Sequence, residues 1–360
     1  MRSWGWLMTL GMASCMAMNA QAASYPQVSV YAHRGASALL PEHTLAAYAQ
    51  AISDGADYIE PDLVMTRDGV MVARHENEIS STTDVAAHPE FASRRTTKLI
   101  DGQKVEGWFT EDFTLAELKT LYARERLPQL RSTDFDDQFR IASLDEIITF
   151  LVQQAGRANR GIGLAPEIKH GSYFRGIGLP MEDKLLAALQ GSAYTRVAPV
   201  LVQSFETANL RALHGKLGNG SNIRLLQLLG GPTEVPADVA LAGGKLTYAQ
   251  MMTPAGLQDV ATYANAVGPE RHAVMPLDAQ GKLAAPTSLV ADAHAAGLQV
   301  VVYTFRPENY FLPQSLRSGA ENARNPAGSI SEMREYLKAG IDAFFTDDPA
   351  LGRKAVDGSS

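Results

Sequence analysis

The chain has little cysteine, no excess of basic residues and few long apolar runs. Cys15 is the only cysteine among 360 residues, so residues 16–360 form no disulfide bond, which suits a bacterial periplasm without requiring one. The net charge of −7 argues against a generally basic nucleic-acid binder, and we expect no nucleic-acid partner. Beyond residue 22, no segment is apolar over a length that predicts a stable membrane span. An anionic substrate therefore has to be held by local cations.

Residues 1–22 have the pattern of a cleaved export signal. Arg2 supplies a positive charge, residues 4–18 are apolar and uncharged, and residues 20–22 fit the A-x-A cleavage pattern. We therefore predict a periplasmic protein whose mature part is residues 23–360. As an alternative, residues 12–15 loosely resemble a lipoprotein box with methionine in place of the usual leucine, which predicts a protein anchored through Cys15.

Strand-like and helix-like segments alternate along the mature chain. Apolar runs of strand length end at His33 and Glu60, and six more occupy residues 164–169, 199–205, 223–229, 264–275, 298–305 and 341–346. Eight strand–helix repeats with nearly continuous apolar strands predict an α/β fold, a (β/α)8 TIM barrel. An open doubly wound sheet is the rival fold, but the glycine-rich first turn that is usual there is missing.

One long interruption breaks the alternation. Residues 78–140 are polar and irregular, although Thr114 and Glu117 have the spacing of a capping box. A break of this length predicts an inserted cap subdomain after the second strand. Ser143 and Glu146 have the same spacing and predict the helix that returns to the barrel.

Two carboxylates and two histidines are brought together by the first two strands. Glu60 and Asp62 are two residues apart, so on a strand they leave the same face. We read Asp68-Gly69 as a two-residue hairpin turn, which places His75 opposite Asp62. His33 ends the preceding strand, and parallel strands end on the same side of a sheet.

Further polar residues lie at the ends of later strands, where the active site of such a barrel is found. Glu167 joins Glu60 and Asp62 as a third carboxylate, and three carboxylates without cysteine favour a hard divalent cation, calcium or magnesium. The alternative is that the carboxylates pair with Arg34 and Lys169 and bind no metal.

The remaining side chains suggest distinct roles. His33 and His75 suit general acid–base work near neutral pH. Arg34 suits a bidentate grip on phosphate oxygens and Lys169 adds a point charge. The other histidines, including His43, we assign to structure. A second group suits the pocket wall or the core beside it, and it comprises Gln203, Phe205, Tyr303 and Phe305.

These motifs carry a resemblance to a known family. The runs at residues 33–36, 41–44 and 60–62, with Asp68-Gly69, His75, and residues 167–169, 203–205 and 345–349, resemble the glycerophosphodiester phosphodiesterase family. The long insertion, with residues 112–119, resembles its secreted bacterial branch. The match extends over essentially the whole mature chain.

The resemblance implies a barrel with an inserted cap and an enzyme that hydrolyses glycerophosphodiesters. Substrates such as glycerophosphocholine and glycerophosphoethanolamine would give sn-glycerol 3-phosphate and an alcohol. It further implies one divalent cation held by Glu60, Asp62 and Glu167, with calcium favoured over magnesium, and catalysis by His33 and His75. The acid and base roles of the two histidines stay open. So does the nucleophile, a water activated at the metal site or the glycerol 2-hydroxyl of the substrate.

Two other functions compete with this interpretation. Related barrels with the same chemistry act as phospholipase D or sphingomyelinase D enzymes on lysolipids. A periplasmic protein that binds phosphodiesters without turnover belongs to a different class, and the histidine pair argues against it, since binding alone needs cations and not two proton carriers.

Overall fold

The computed structural model describes residues 28–218 and 220–358. The predicted export signal at residues 1–22, with Cys15, lies outside these residues. Thirteen strands are found in the described part of the chain. They are β1 (Ser29–His33), β2 (Tyr58–Glu60), β3 (Asp62–Met65), β4 (Met71–Ala73), β5 (Thr96–Ile100), β6 (Gln103–Gly107), β7 (Gly163–Leu164), β8 (Glu167–Ile168), β9 (Val200–Ser204), β10 (Ile223–Leu229), β11 (Ala266–Pro269), β12 (Gln299–Phe305) and β13 (Ala343–Thr346).

Thirteen α-helices accompany these strands in the same part of the chain. They are α1 (Leu45–Ser53), α2 (Leu115–Leu118), α3 (Leu144–Ala158), α4 (Gly171–Gly176), α5 (Glu182–Gly191), α6 (Thr207–Lys216), α7 (Ala237–Leu241), α8 (Tyr248–Met251), α9 (Pro254–Val260), α10 (Arg271–Val274), α11 (Leu289–Ala295), α12 (Pro326–Lys338) and α13 (Pro349–Asp357). Short 3-10 helices cover Val85–Ala87, Pro89–Arg94, Thr110–Asp112, Asn309–Phe311 and Gln314–Leu316.

The strands close into a parallel barrel with eight positions, which confirms the predicted TIM barrel. β1 pairs with β13 on one side and β2 on the other, and β10 pairs with both β9 and β11. The second position is shared by β2 and β3, and the third by β7 and β8. Within this sheet of the described residues, β4 alone runs antiparallel, as a side strand of β3. The ring has no free edge among the barrel strands, and closure of this kind removes unpaired backbone groups.

Prolines explain why the second and third positions are split. Pro61 lies between β2 and β3, and Pro166 lies between β7 and β8. A proline has no backbone N–H and cannot donate to a strand ladder. The carbonyl groups of both prolines still accept bonds, from the backbone N–H groups of Glu167 at 2.9 Å and Gln203 at 2.9 Å. The barrel therefore continues across each break, and the residues that follow the prolines keep their alignment.

Two layers of apolar side chains stabilise the barrel. Alternate residues of a strand point to opposite faces, so each strand serves both layers. On β12, Val300 and Val302 pack in the larger layer with the helices, whereas Val301 belongs to a smaller cluster inside the barrel with Leu226 and Phe345. The helices begin at the expected caps, since Ser143 and Glu146 form a complete capping box at α3.

The hairpin between β3 and β4 was predicted one residue out of register. The two-residue turn would have placed His75 opposite Asp62. In the structure the backbone N–H of Arg74 donates to the carbonyl of Asp62 at 3.0 Å, and Met65 pairs with Met71. The prediction of the turn was therefore wrong.

The reason lies in the geometry of the loop. The backbone N–H of Thr66 donates to the carbonyl of Val70 at 2.9 Å, so three residues make the connection. Gly69 has φ of +77°, the left-handed conformation that closes a three-residue hairpin loop. The hydroxyl of Thr66 also accepts the backbone N–H of Val70 at 2.9 Å, which supports the longer loop.

The long insertion holds the antiparallel hairpin of β5 and β6, the helix α2 and several 3-10 helices. Its predicted capping box is present, since Thr114 caps α2 and Glu117 bonds back to it. The boundaries 78–140 and its role as a cap stay predictions. No helix in residues 28–218 or 220–358 combines the length and apolar character that crossing a membrane requires.

Candidate active site

Three carboxylates meet at one end of the barrel because neighbouring strands are in register there. Glu60 pairs with His33 across β2 and β1. Asp62 pairs with Glu167 across β3 and β8, and Glu167 pairs with Gln203 across β8 and β9. At Pro61 the second position of the barrel passes from β2 to β3. The side chains of Glu60 and Asp62, on either side of this break, both lie beside Glu167.

The carboxylates are buried and close together. Glu60, Asp62 and Glu167 are 2%, 1% and 5% exposed, and one oxygen of each lies within 4.8 Å of the others. Glu60 accepts hydrogen bonds from the backbone N–H of Arg34 at 2.7 Å and from the amide of Gln203 at 3.0 Å. In the described part of the chain, Oδ1 of Asp62 is buried without a hydrogen-bond partner. The trio thus has more negative charge and more acceptor capacity than its neighbours satisfy.

The pKa values of the three carboxyl groups also show that their negative charge is not fully balanced by neighbouring cations. Burial, followed by repulsion from Asp62 and Glu167, raises the pKa of Glu60 well above its usual range. Burial also raises the pKa of Glu167 to about 8, with Asp62 adding to the shift and Lys169 opposing it. Burial opposes ionisation of Asp62 too, but Lys169 and the hydrogen bond from His43 hold its pKa well below the usual range.

His33 is held by a carboxylate that follows β13, the strand next to its own in the barrel. Its Nδ1 lies 2.5 Å from Asp347, which follows β13. Asp347 also accepts hydrogen bonds from Arg131 at 2.6 Å and Arg306 at 3.2 Å. Burial, followed by the charge of Arg34, lowers the pKa of His33 to about 4. The imidazole is therefore neutral at pH 7 in the free protein.

His75 has a comparable arrangement. Its Nδ1 bonds to Glu76, and Glu76 accepts two hydrogen bonds from Arg126, at 2.6 and 3.1 Å. Burial, followed by the charges of Arg34 and Lys169, lowers the pKa of His75 to about 3. This imidazole is also neutral at pH 7.

The two predicted phosphate-binding cations are paired with carboxylates in the structure. Arg34 donates to Glu42 at 3.0 Å and to Nε2 of His33 at 3.2 Å. Nζ of Lys169 lies 2.9 Å from Glu167. Both cations line the cavity described next, so each is within reach of a ligand there. Their role in phosphate binding stays a prediction.

A cavity of about 240 Å³ joins these groups. Most of the predicted site residues line it, namely His33, Arg34, Glu60, His75, Glu167, Lys169, Gln203, Phe205 and Tyr303. Leu228, Thr304, Arg306 and Phe345 complete the lining. Although His75 is not opposite Asp62 in the ladder, the chain beyond β4 brings it to the same cavity as His33.

Phe305 was predicted as pocket wall or core, and the structure places it in the core. It is fully buried and packs at 4.9 Å from Tyr336 and 5.5 Å from Phe344, ring centroid to ring centroid. The pairing of β12 with β13 shifts register between Val302 and Phe305. The shift turns Phe305 toward the helix layer, although Tyr303, two residues earlier, lines the cavity.

Several residues that position the site were missed. Glu42, Glu76, Arg126, Arg131, Arg306 and Asp347 form the hydrogen-bonded surroundings of the histidines and Arg34. Of the two neighbouring aspartates after β13, Asp348 caps α13, whereas Asp347 binds His33. His43 was assigned to structure, and its Nε2 lies 2.9 Å from Asp62 and its Nδ1 2.9 Å from the hydroxyl of Tyr48. It fixes one carboxylate of the trio.

Comparison with known proteins agrees with this architecture. The profile of the Glycerophosphoryl diester phosphodiesterase family matches residues 33–351. Glycerophosphodiester phosphodiesterase GDPD6 of Arabidopsis thaliana is 35% identical over 330 residues, which is 88% of this chain and 82% of that protein. The glycerophosphodiester phosphodiesterase of Haemophilus influenzae is 27% identical over 348 residues, 91% of this chain and 90% of that one.

A solved structure shares the fold. It is that of an Oleispira antarctica phosphodiesterase in complex with the product sn-glycerol-3-phosphate, with a TM-score of 0.56, 21% identity, and coverage of 91% of this chain and 96% of that one. The family match spans nearly all the described residues, including both histidines and all three carboxylates. The chain therefore belongs to the glycerophosphoryl diester phosphodiesterase family, and the prediction that it is an enzyme of this class is confirmed.

Proposed function

We propose that the chain hydrolyses glycerophosphodiesters such as glycerophosphocholine and glycerophosphoethanolamine to sn-glycerol 3-phosphate and an alcohol, and that the reaction depends on one divalent cation. One observation carries the proposal. Two neutral imidazoles line one cavity together with Glu60 and Glu167, and the carboxylate of Asp62 lies directly beside these two. The Oleispira protein was solved with sn-glycerol-3-phosphate as its product, which supports the same product here.

The donor set fits a hard divalent cation. Glu60, Asp62 and Glu167 supply oxygen ligands close together, and the free Oδ1 of Asp62 and the raised pKa of Glu60 indicate charge that lacks a counter-ion. Calcium and magnesium both bind oxygen ligands, and we favour calcium because it accepts irregular carboxylate geometry more readily. A bound cation would supply Lewis-acid polarisation of the phosphoryl oxygen.

The residues of the chain supply binding and proton transfer. Arg34 and Lys169 offer positive charge to the phosphodiester from the cavity wall. Each histidine donates from Nδ1 to a carboxylate, so the lone pair lies on Nε2, the nitrogen that can accept a proton. At His33 this nitrogen accepts the Nε–H of Arg34 at 3.2 Å, which has to turn to the phosphodiester before His33 can take a proton. One imidazole takes the proton of the nucleophile and the other protonates the leaving alcohol. The substrate anion between them raises the pKa of both rings and favours the protonated form that the acid needs.

Release of sn-glycerol 3-phosphate tests the proposal. Protein dialysed against EDTA is assayed with glycerophosphocholine, with and without added calcium or magnesium, and with lysophosphatidylcholine in parallel. We expect product only after cation is restored, and loss of that response in Glu167→Gln. Equal activity in EDTA and in calcium would refute the metal dependence, and preference for lysophosphatidylcholine would refute the substrate class.

The cellular location is a separate proposal. The pattern of residues 1–22 supports export to a periplasm followed by cleavage after Ala22. Mass spectrometry of the protein purified from cells would give a mature chain that starts at Ala23. A lipid-modified Cys15 at the amino terminus would support the anchored alternative.

A further inference from the structure

A second and larger cavity adjoins the one that holds the histidines. It has a volume of about 590 Å³ and shares Glu167, Lys169 and Phe205 with the first. It lies beyond the ends of β8 and β9. The tip of the β5–β6 hairpin at Asp101 and the segment around Glu234 complete its rim.

The second cavity lies where one of the two organic groups of a bound phosphodiester would have to fit. The reacting phosphate has to lie in the first cavity, because His33 and His75 line it. A diester carries an organic group on each side of that phosphate, and about 240 Å³ is small for both. The adjoining cavity, reached past Phe205, offers the room for the second group.

Aromatic rings form the wall between the two cavities. The ring of Phe205 lies 6.3 Å from that of Tyr248 and 5.8 Å from that of Tyr303, both edge to face. The hydroxyl of Tyr248 donates to the carbonyl of Phe205 at 3.0 Å and fixes this arrangement. Nζ of Lys169 lies 5.6 Å from the centroid of Phe205, so an ammonium group already sits at cation–π distance on this wall.

The charge of the second cavity is negative. Four carboxylates line it, of Asp101, Glu167, Glu206 and Glu234, against Lys169 and His170. Lys169 pairs with Glu167, and Nδ1 of His170 lies 2.6 Å from Asp101, so among the ion pairs of the described residues none joins Glu206 or Glu234 to a cationic side chain. Glu206 is 4% exposed and is bound by Ser172, whose backbone N–H donates at 2.9 Å and whose hydroxyl donates at 2.5 Å. Burial raises the pKa of Glu206, and Asp238 and Asp101 add to the shift. This carboxylate therefore lacks a counter-charge.

We infer that the second cavity binds the alcohol half of the substrate and selects an alcohol that carries an ammonium or trimethylammonium group. The inference rests on the proposed function and specifies its substrate class. A cationic group would meet ring faces and carboxylates together, as quaternary ammonium sites require. An acyl chain would instead desolvate the carboxylates without compensation, and a neutral polyol would leave them uncompensated.

Paired substrates test the inference. The kcat/KM is measured for glycerophosphocholine, with a cationic alcohol, and glycerophosphoglycerol, with a neutral one, in the wild type and in Glu206→Gln, Glu234→Gln and the double variant. Glutamine keeps the shape and hydrogen-bonding oxygen and removes the charge. We expect a loss of about tenfold for the choline ester in the double variant and a loss of no more than about threefold for the glycerol ester.

The controls separate this inference from the function on which it rests. Glu321→Gln removes an exposed carboxylate between β12 and α12, outside the cavity, and should leave the ratio of the two kcat/KM values as in the wild type. Hydrolysis of both esters with an unchanged ratio in the double variant would overturn the inference alone. A wild-type enzyme that hydrolyses neither ester would overturn the proposed function together with the inference.

Discussion

At the residue scale, the same arrangement of hydrogen bonds holds His33 and His75. Each bonds through Nδ1 to a carboxylate, and each carboxylate is bound in turn by an arginine of the insertion. The carboxylate fixes the tautomer and the ring orientation, which leaves Nε2 as the basic nitrogen. Proton transfer through a positioned side chain typically contributes 10²- to 10⁴-fold to a rate.

Replacing either histidine should therefore remove most of the turnover. We expect His33→Ala and His75→Ala each to lower kcat by about 10²- to 10⁴-fold, because each removes one proton carrier, while the melting temperature changes little. His214→Ala, at an exposed position of α6, is the matched control and should retain wild-type kcat. Activity within a few-fold of wild type in His33→Ala would refute the assignment.

Sequence patterns located the reactive residues better than their partners. His33, Glu60 and Glu167 could be found because each ends an apolar run, and strand ends define the mouth of a barrel. Asp347 also follows a strand, but the next two residues, Asp348 and Pro349, have the pattern of a helix cap, which by itself accounts for an acidic residue there. Arg126 lies in an irregular segment, where no periodicity relates its position to the barrel, so its contact with Glu76 could not be predicted.

At the element scale, one short segment of the insertion supports both histidines. Arg126 binds Glu42 at 2.7 Å and Glu76 at 2.6 Å, whereas Arg131 binds Asp347 at 2.6 Å and Glu308 at 2.8 Å. Both arginines are thus linked through carboxylates to an imidazole. Removing one cation beside such a carboxylate raises the pKa of the imidazole, because less positive charge opposes its protonation.

We expect Arg126→Gln and Arg131→Gln each to lower kcat by about tenfold, since the histidines lose orientation. One limb of the pH profile of kcat/KM should also move to higher pH in each variant, because the pKa of the supported histidine rises: the acidic limb where that histidine is the base, and the alkaline limb where it is the acid. A purely structural role would lower stability without moving either limb. Arg124→Gln is the control, because Arg124 pairs with the exposed Asp137 at 2.7 and 2.9 Å and with neither of the carboxylates that hold the histidines.

The hairpin and the split strands show which details of an element escape the sequence. Asp68-Gly69 fits both a two-residue and a three-residue turn, and the choice depends on the hydroxyl of Thr66. Pro61 was expected to continue one strand, and it instead passes the second barrel position from β2 to β3. Glu60 ends β2 and Asp62 begins β3, and both carboxylates still meet Glu167, so the site was found despite the error.

At the scale of the whole molecule, the alternation of strands and helices predicted the barrel because the barrel strands are buried on two faces. The same pattern could not reveal tertiary ion pairs between distant helices. Glu332 on α12 is fully buried, with its two oxygens 3.3 and 3.4 Å from Nη1 of Arg271 on α10. Burial raises the pKa of Glu332 to about 7, although Arg271 opposes the shift.

This raised pKa makes the stability of the barrel depend on pH. The folded state holds a proton on Glu332 that the unfolded chain loses above its ordinary pKa of 4.5, so the free energy of unfolding falls as pH rises from about 4.5 to about 7. The fall from this group is about 3 kcal/mol. Glu332→Gln should flatten that part of the profile in urea titrations at pH 5, 6, 7 and 8. Glu335→Gln, on the solvent side of α12 and paired with Lys338, should keep the wild-type slope. Because glutamine cannot titrate, an unchanged slope in Glu332→Gln would mean that another group carries the dependence.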